Sequence, residues 1–153
     1  MARFAALAAL FALLAASVAA AATTPTQYRS AVNAMCRSYT PKMKAQENAM
    51  TAAKKANDGQ AYGVALGKLL VLQLGEDSKF ESAAIPAALR PTITPIVATF
   101  KKVDVHLRAA IVAAANGDGK GMVAQLTAAA TAGSSLNKKL DAAGLRDCGS
   151  NQT

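Results

Sequence analysis

Residues 94–116 read TPIVATFKKVDVHLRAAIVAAAN. Counting one residue outward, Ile93, Ile96, Val97, Phe100, Val103, Leu107, Ile111 and Ala114 recur at steps of three and four, the spacing that stacks side chains on one face of an α-helix. Thr94 suits the N-cap, Pro95 the first helical position where a missing N–H costs nothing, and Asn116-Gly117 a left-handed stop. A helix of about 22 residues with such a stripe is marginal alone in water and must bury the stripe against other helices. The stretch therefore predicts an all-α fold, a helical bundle.

Working outward, Asn116-Gly117-Asp118-Gly119 is expected to be an interhelical turn, with Asp118 capping the next helix. Its likeness to a calcium loop fails, because alignment puts Ala114 and Gln125 where the first and twelfth positions need carboxylates. One helix is expected over 120–143, with Met122, Leu126, Ala129, Gly133, Leu136 and Leu140 inward and Gly144 just past its end. On the other side, Pro86, Pro91 and Pro95 restrict residues 80–95 to short turns. Before them QAYGVALGKLLVLQLG, residues 60–75, predicts a helix apolar nearly all round, ended by polar Glu76–Lys79. Gly63 and Gly67 in it are read as local accommodation. Asn57-Asp58-Gly59 is a turn, and residues 27–57 predict a first helix that either kinks or splits at Pro41. The expected fold is a bundle of about four main helices in one domain, residues 23–153.

Residues 1–22 have one basic residue, an apolar core and small residues with A-x-A spacing, the pattern of a secretory signal peptide; no stable membrane insertion is expected after its cleavage. In an exported chain the two cysteines, Cys36 and Cys148, most economically form one disulfide. A reactive thiol lacks an evident activating neighbour, and a metal site needs more ligands than two Cys and one His supply.

The formal net charge is +8 and the hydrophobic fraction 52%, with no Trp. Such a charge biases a protein toward anionic surfaces. The basic residues are scattered in short groups with no aromatic stacking platform or arginine cluster, so nucleic acid is not an expected partner. One His, nine carboxylates without a paired arrangement and no phosphate-binding glycine loop argue against an enzyme; no cofactor or metal is expected. Asp104 and Arg108 suggest a salt bridge at the bundle rim, and His106 falls on the solvent side of its helix.

Tyr28–Cys36, YRSAVNAMC, resembles the Y-x-x-x-A-N-x-I-C opening of small exported, often lipid-anchored, actinobacterial proteins. Gly144-Leu145-Arg146-Asp147-Cys148 resembles their G-L-x-x-C ending, and Ala115–Asp118 their A-x-G-D turn. The resemblance implies a helical bundle tied by a Cys36–Cys148 disulfide, and it implies no activity. The chain differs from the lipid-anchored members in having no cysteine at the signal cleavage boundary.

Two functions fit these features. The first is an exported, noncatalytic bundle in the cell envelope that binds a protein or an anionic envelope component through its basic faces. The alternative is an extracytoplasmic carrier of a small apolar ligand, lipid or haem, held between helices by Leu66, Leu70, Phe100 and Leu107. For haem, the conceivable ligands are His106, Tyr28 and Tyr39.

Overall fold

A computed structural model describes residues 24–150. The leader assigned to residues 1–22 lies outside them. The described residues form an all-α bundle of four main helices with one disulfide and no strand.

Helix α1 spans Pro25–Lys55. Its start is closed by a capping box: the Gln27 amide donates to the Thr24 hydroxyl at 3.2 Å, and the Thr24 amide donates to Gln27 Oε1 at 3.0 Å. The helix passes Pro41 without splitting. Pro41 is exposed, so the carbonyl it leaves without an N–H faces water. Asn57, at φ 54, reverses the chain, and Asp58 caps α2 by accepting from the Ala61 amide at 2.9 Å.

Helix α2, Gly59–Ser82, runs past its expected end at Gly75. The polar segment 76–79 does not stop it, because Glu76 and Asp77 point into the protein rather than into a loop. Nor is α2 sheathed on several sides: Val64 and Val71 are 53% and 63% exposed. A proline-rich corner containing a 3-10 turn at Ala87–Leu89 leads into α3, Arg90–Ala115. This helix begins a turn earlier than Thr94 and Pro95 suggested. Pro91 occupies its first turn, while Pro95 lies inside on the exposed side, where its missing hydrogen bond faces solvent.

Gly117, at φ 71, ends α3, and Asp118 caps α4 by accepting from the Gly121 amide at 2.8 Å, as expected. The single helix predicted over 120–143 is two: α4, Gly119–Gly133, and α5, Leu136–Ala142. The break falls at Gly133-Ser134-Ser135, residues with weak helix propensity and side chains that compete for backbone hydrogen bonds. Leu136 and Leu140, both on α5 after the break, are buried.

The helices pair as two hairpins, α1 with α2 and α3 with α4, joined along α2 and α3. After α5 the chain returns to α1. Leu145 is fully buried, and the 3-10 turn Arg146–Cys148 lies against α1, where Cys148 is bonded to Cys36. Three α1 side chains one turn apart secure this strap. Arg29 Nε donates to Ala143 O at 2.8 Å, Asn33 Nδ2 donates to Gly144 O at 3.0 Å, and Arg37 pairs with Asp147. The principal core surrounds the disulfide and contains Phe80, Ile93, Ile96, Phe100 and Leu140; Phe80 and Phe100 pack as a tilted pair, 4.8 Å between centroids. A second, smaller cluster of Leu70, Leu107 and Ala129 lies further along α2, α3 and α4. Among the described residues no single helix is long and apolar enough to cross a membrane.

Candidate functional site

The outer face of α2 forms a groove with α1. Its cavity volume is about 680 Å3. Ala45, Gly63, Val64, Gly67 and Val71 line it, with Lys42 from α1 and Lys68 from α2, and no acidic side chain takes part. The two glycines are informative. A glycine inside a helix is destabilising by about 0.5–1 kcal/mol relative to alanine, so it calls for a local reason. At Gly63 and Gly67 a Cβ would meet nothing within 4 Å. Among the described residues no neighbouring helix requires them. Their effect is to hollow the groove, leaving an apolar channel flanked by two ammonium groups.

A second polar feature is internal. On α2, Asp77 falls between Leu70 of the small cluster and Phe80 of the principal core; on α3, Asp104 falls between Leu107 and Phe100 in the same two clusters. The two carboxyls meet in a polar layer where the hairpins join, Asp77 fully buried and Asp104 8% exposed. Gln73 Nε2 donates to Asp77 Oδ1 at 2.9 Å, and Arg108 approaches Asp104 Oδ2 at 3.9 Å. Burial, a hydrogen bond with Asp104, and the negative charges of Asp104 and Glu76 push the Asp77 carboxyl up to about 9, against a smaller opposing effect of Gln73. These surroundings favour the protonated form of Asp77. Carboxylates expected to lie unpaired thus include one buried pair. Sequence reasoning missed it because Glu76-Asp77 looks like a helix end; the seven-residue spacing from Leu70 to Asp77 was the available signal.

The expected Asp104–Arg108 pair is present at 3.9 Å, with Asp104 inside and the Arg108 end exposed. His106 is also not simply solvated. It is half-buried, with Nδ1 2.9 Å from Gln125 Oε1 on α4. Leu66, Leu70 and Leu107 pack together in the smaller cluster, whereas Phe100 belongs to the principal core. Three surface grooves are lined by other residues. Of the conceivable haem ligands, Tyr28 is buried in the disulfide-end core, and Tyr39 lies on α1 beneath the ammonium groups of Lys42 and Lys79. His106 engages α4 instead. Among the described residues no group of three His, Cys, Asp or Glu side chains is placed to hold a metal ion.

Comparison with known protein families, with curated proteins and with solved structures yields no match.

Proposed function

We propose that the mature chain is an exported, noncatalytic binding protein that takes an anionic, acyl-bearing component of the cell envelope into the α1/α2 groove. The observation that carries this reading is the pair of helix-interior glycines, Gly63 and Gly67, whose missing side chains open an apolar floor next to Lys42 and Lys68. An acyl chain can cover Val64 and Val71 while its acidic group meets the ammonium ends, which matches the overall charge of +8. Export is supported by the leader-like residues 1–22 and by a disulfide compatible with an oxidising compartment. The reading as noncatalytic rests on access, since neither Asp77 nor Asp104 lines any of the three grooves. Leu66, Leu70, Phe100 and Leu107 bury their surface against other side chains, so the apolar-carrier alternative gains no support from them.

Cosedimentation of the purified mature protein with vesicles tests the proposal. Vesicles containing anionic phospholipid should retain it, and zwitterionic vesicles should not. A Lys42→Glu, Lys68→Glu double variant should lose at least about tenfold in retention, as should the wild type in high salt, where exposed charges are screened. A Gly67→Leu variant should lose retention through filling of the groove alone. Equal binding to both vesicle types, or unchanged binding by the three altered residues, would overturn the assignment.

A further inference from the structure

The polar layer between the hairpins supports an inference independent of the groove. We propose that Asp77 and Asp104 share one proton in a carboxylic acid–carboxylate hydrogen bond, a latch between α2 and α3 that is closed in acid and weakened in alkali.

The geometry requires a proton. Each carboxyl has one oxygen engaged from its own helix: Asp77 Oδ1 by Gln73, and Asp104 Oδ2 more distantly by Arg108. The other oxygens, Asp77 Oδ2 and Asp104 Oδ1, are buried, and while both groups are carboxylates they have no donor among the described residues. Two acceptor-only groups cannot bond each other, and leaving both buried and unsatisfied is costly. One proton on Asp77 turns the two defects into a single O–H···O bond to Asp104, with the negative charge on Asp104, the member nearer solvent and Arg108. Loss of that proton to solvent leaves two negative charges facing each other in an apolar interface.

The other groups facing the pair agree with this assignment. On α2, buried Glu76 adds negative charge, and Gln73 is neutral. On α3, the Arg108 guanidinium lies 3.9 Å from Asp104 with its side chain 65% exposed, and His106 turns to Gln125 of α4. From α1 the Tyr39 phenol faces α2 at Gly75, two residues before Asp77, and Lys42 and Lys79 lie over its ring. Among the described residues, the side chains acting on Asp77 are Asp104, Glu76 and Gln73, none of them a cation.

Asp77 in the unfolded chain loses its proton near pH 4, whereas in the fold it keeps it well beyond neutrality, so the fold binds one proton more across that window. The stabilisation is present in full below pH 4 and declines as pH rises, the unfolding equilibrium constant growing by up to about tenfold per pH unit. An exported protein built in this way holds its hairpins together best in acidic surroundings.

Asp77→Asn tests the latch, because the amide keeps an acceptor for Gln73 and a permanent donor for Asp104. Urea unfolding of the mature protein should give nearly equal midpoints for variant and wild type at pH 5 and a higher midpoint for the variant at pH 8.5. Asp104→Asn, which removes the shared charge, should flatten the pH dependence in the same sense if the first variant does not fold. Infrared spectra of the wild type should show a protonated carboxyl band at pH 7 that disappears in strong alkali. Parallel pH profiles for variant and wild type, or no protonated band at pH 7, would overturn the proposal.

Discussion

Arg29, near the start of α1, donates its Nε–H to the carbonyl of Ala143, at the end of α5, at 2.8 Å. This bond satisfies one of the terminal carbonyls that every helix leaves without an internal donor, and it does so with a cation at the negative end of the helix dipole. The guanidinium also covers Gly144, where a Cβ would come within 3.1 Å of Arg29 Cδ and the backbone is at φ +79. Gly144→Ala should therefore cost about 1–2 kcal/mol from backbone strain with an added clash, and Arg29→Ala about 1–3 kcal/mol from the lost charged hydrogen bond. Urea unfolding of the two variants measures both; a Gly144→Ala protein as stable as the wild type would contradict the role of the strap.

The covalent tie has its own expected effect. Cys36 and Cys148 lie 112 residues apart in sequence with Cα atoms 5.1 Å apart. Joint replacement by Ser should cost about 2–5 kcal/mol, chiefly through the larger conformational freedom of the open unfolded chain. The folded state should keep its helical circular dichroism, since Arg29, Asn33 and Arg37 still hold the tail. Loss of helicity in the native variant would show that the strap depends on the disulfide.

Tyr28 is 2% exposed, and its hydroxyl has no hydrogen-bond partner among the described residues. Burial raises its pKa above the ordinary 10.0. The folded protein thus keeps this proton at pH values where the unfolded chain loses it, and stability should decline as pH climbs past 10. Tyr28→Phe should remove that component of the alkaline decline and be neutral or stabilising by up to about 1 kcal/mol at pH 7, because it deletes an unsatisfied buried group. Destabilisation by more than this in thermal or urea unfolding would mean the hydroxyl is engaged.

Gly67→Ala should raise stability by about 0.5–1 kcal/mol, since alanine is the better helix former and its Cβ meets open space. Gly75→Ala provides a contrast: its Cβ would touch the Tyr39 hydroxyl at 3.5 Å, an ordinary contact, so the helix gain is retained only if the ring stays in place. Differential scanning calorimetry distinguishes the two. A destabilised Gly67→Ala would indicate a packing role at that position and weaken the reading of the groove.

Much of the architecture was legible in the residues themselves. The stripe from Ile93 to Ile111 specified a buried helix, Asp118 its neighbour's cap and Gly144 a left-handed helix end, because periodicity, capping and positive φ are local properties carried by a few adjacent positions. The helix boundaries at Gly75 and Thr94 were misplaced for the same reason: polar residues and prolines signal an end locally, and only packing decides whether they face water or a partner.

The sequence by itself determined an all-α chain with its hydrophobic faces, its turns and two cysteines available for pairing. The tertiary structure decided which charges are inside, that Asp77 meets Asp104 across two helices, and that Gly63 and Gly67 face open space rather than a neighbour. These are relations between segments distant along the chain, and the energy of a buried carboxyl or an empty groove depends on what stands opposite it, which no single segment encodes.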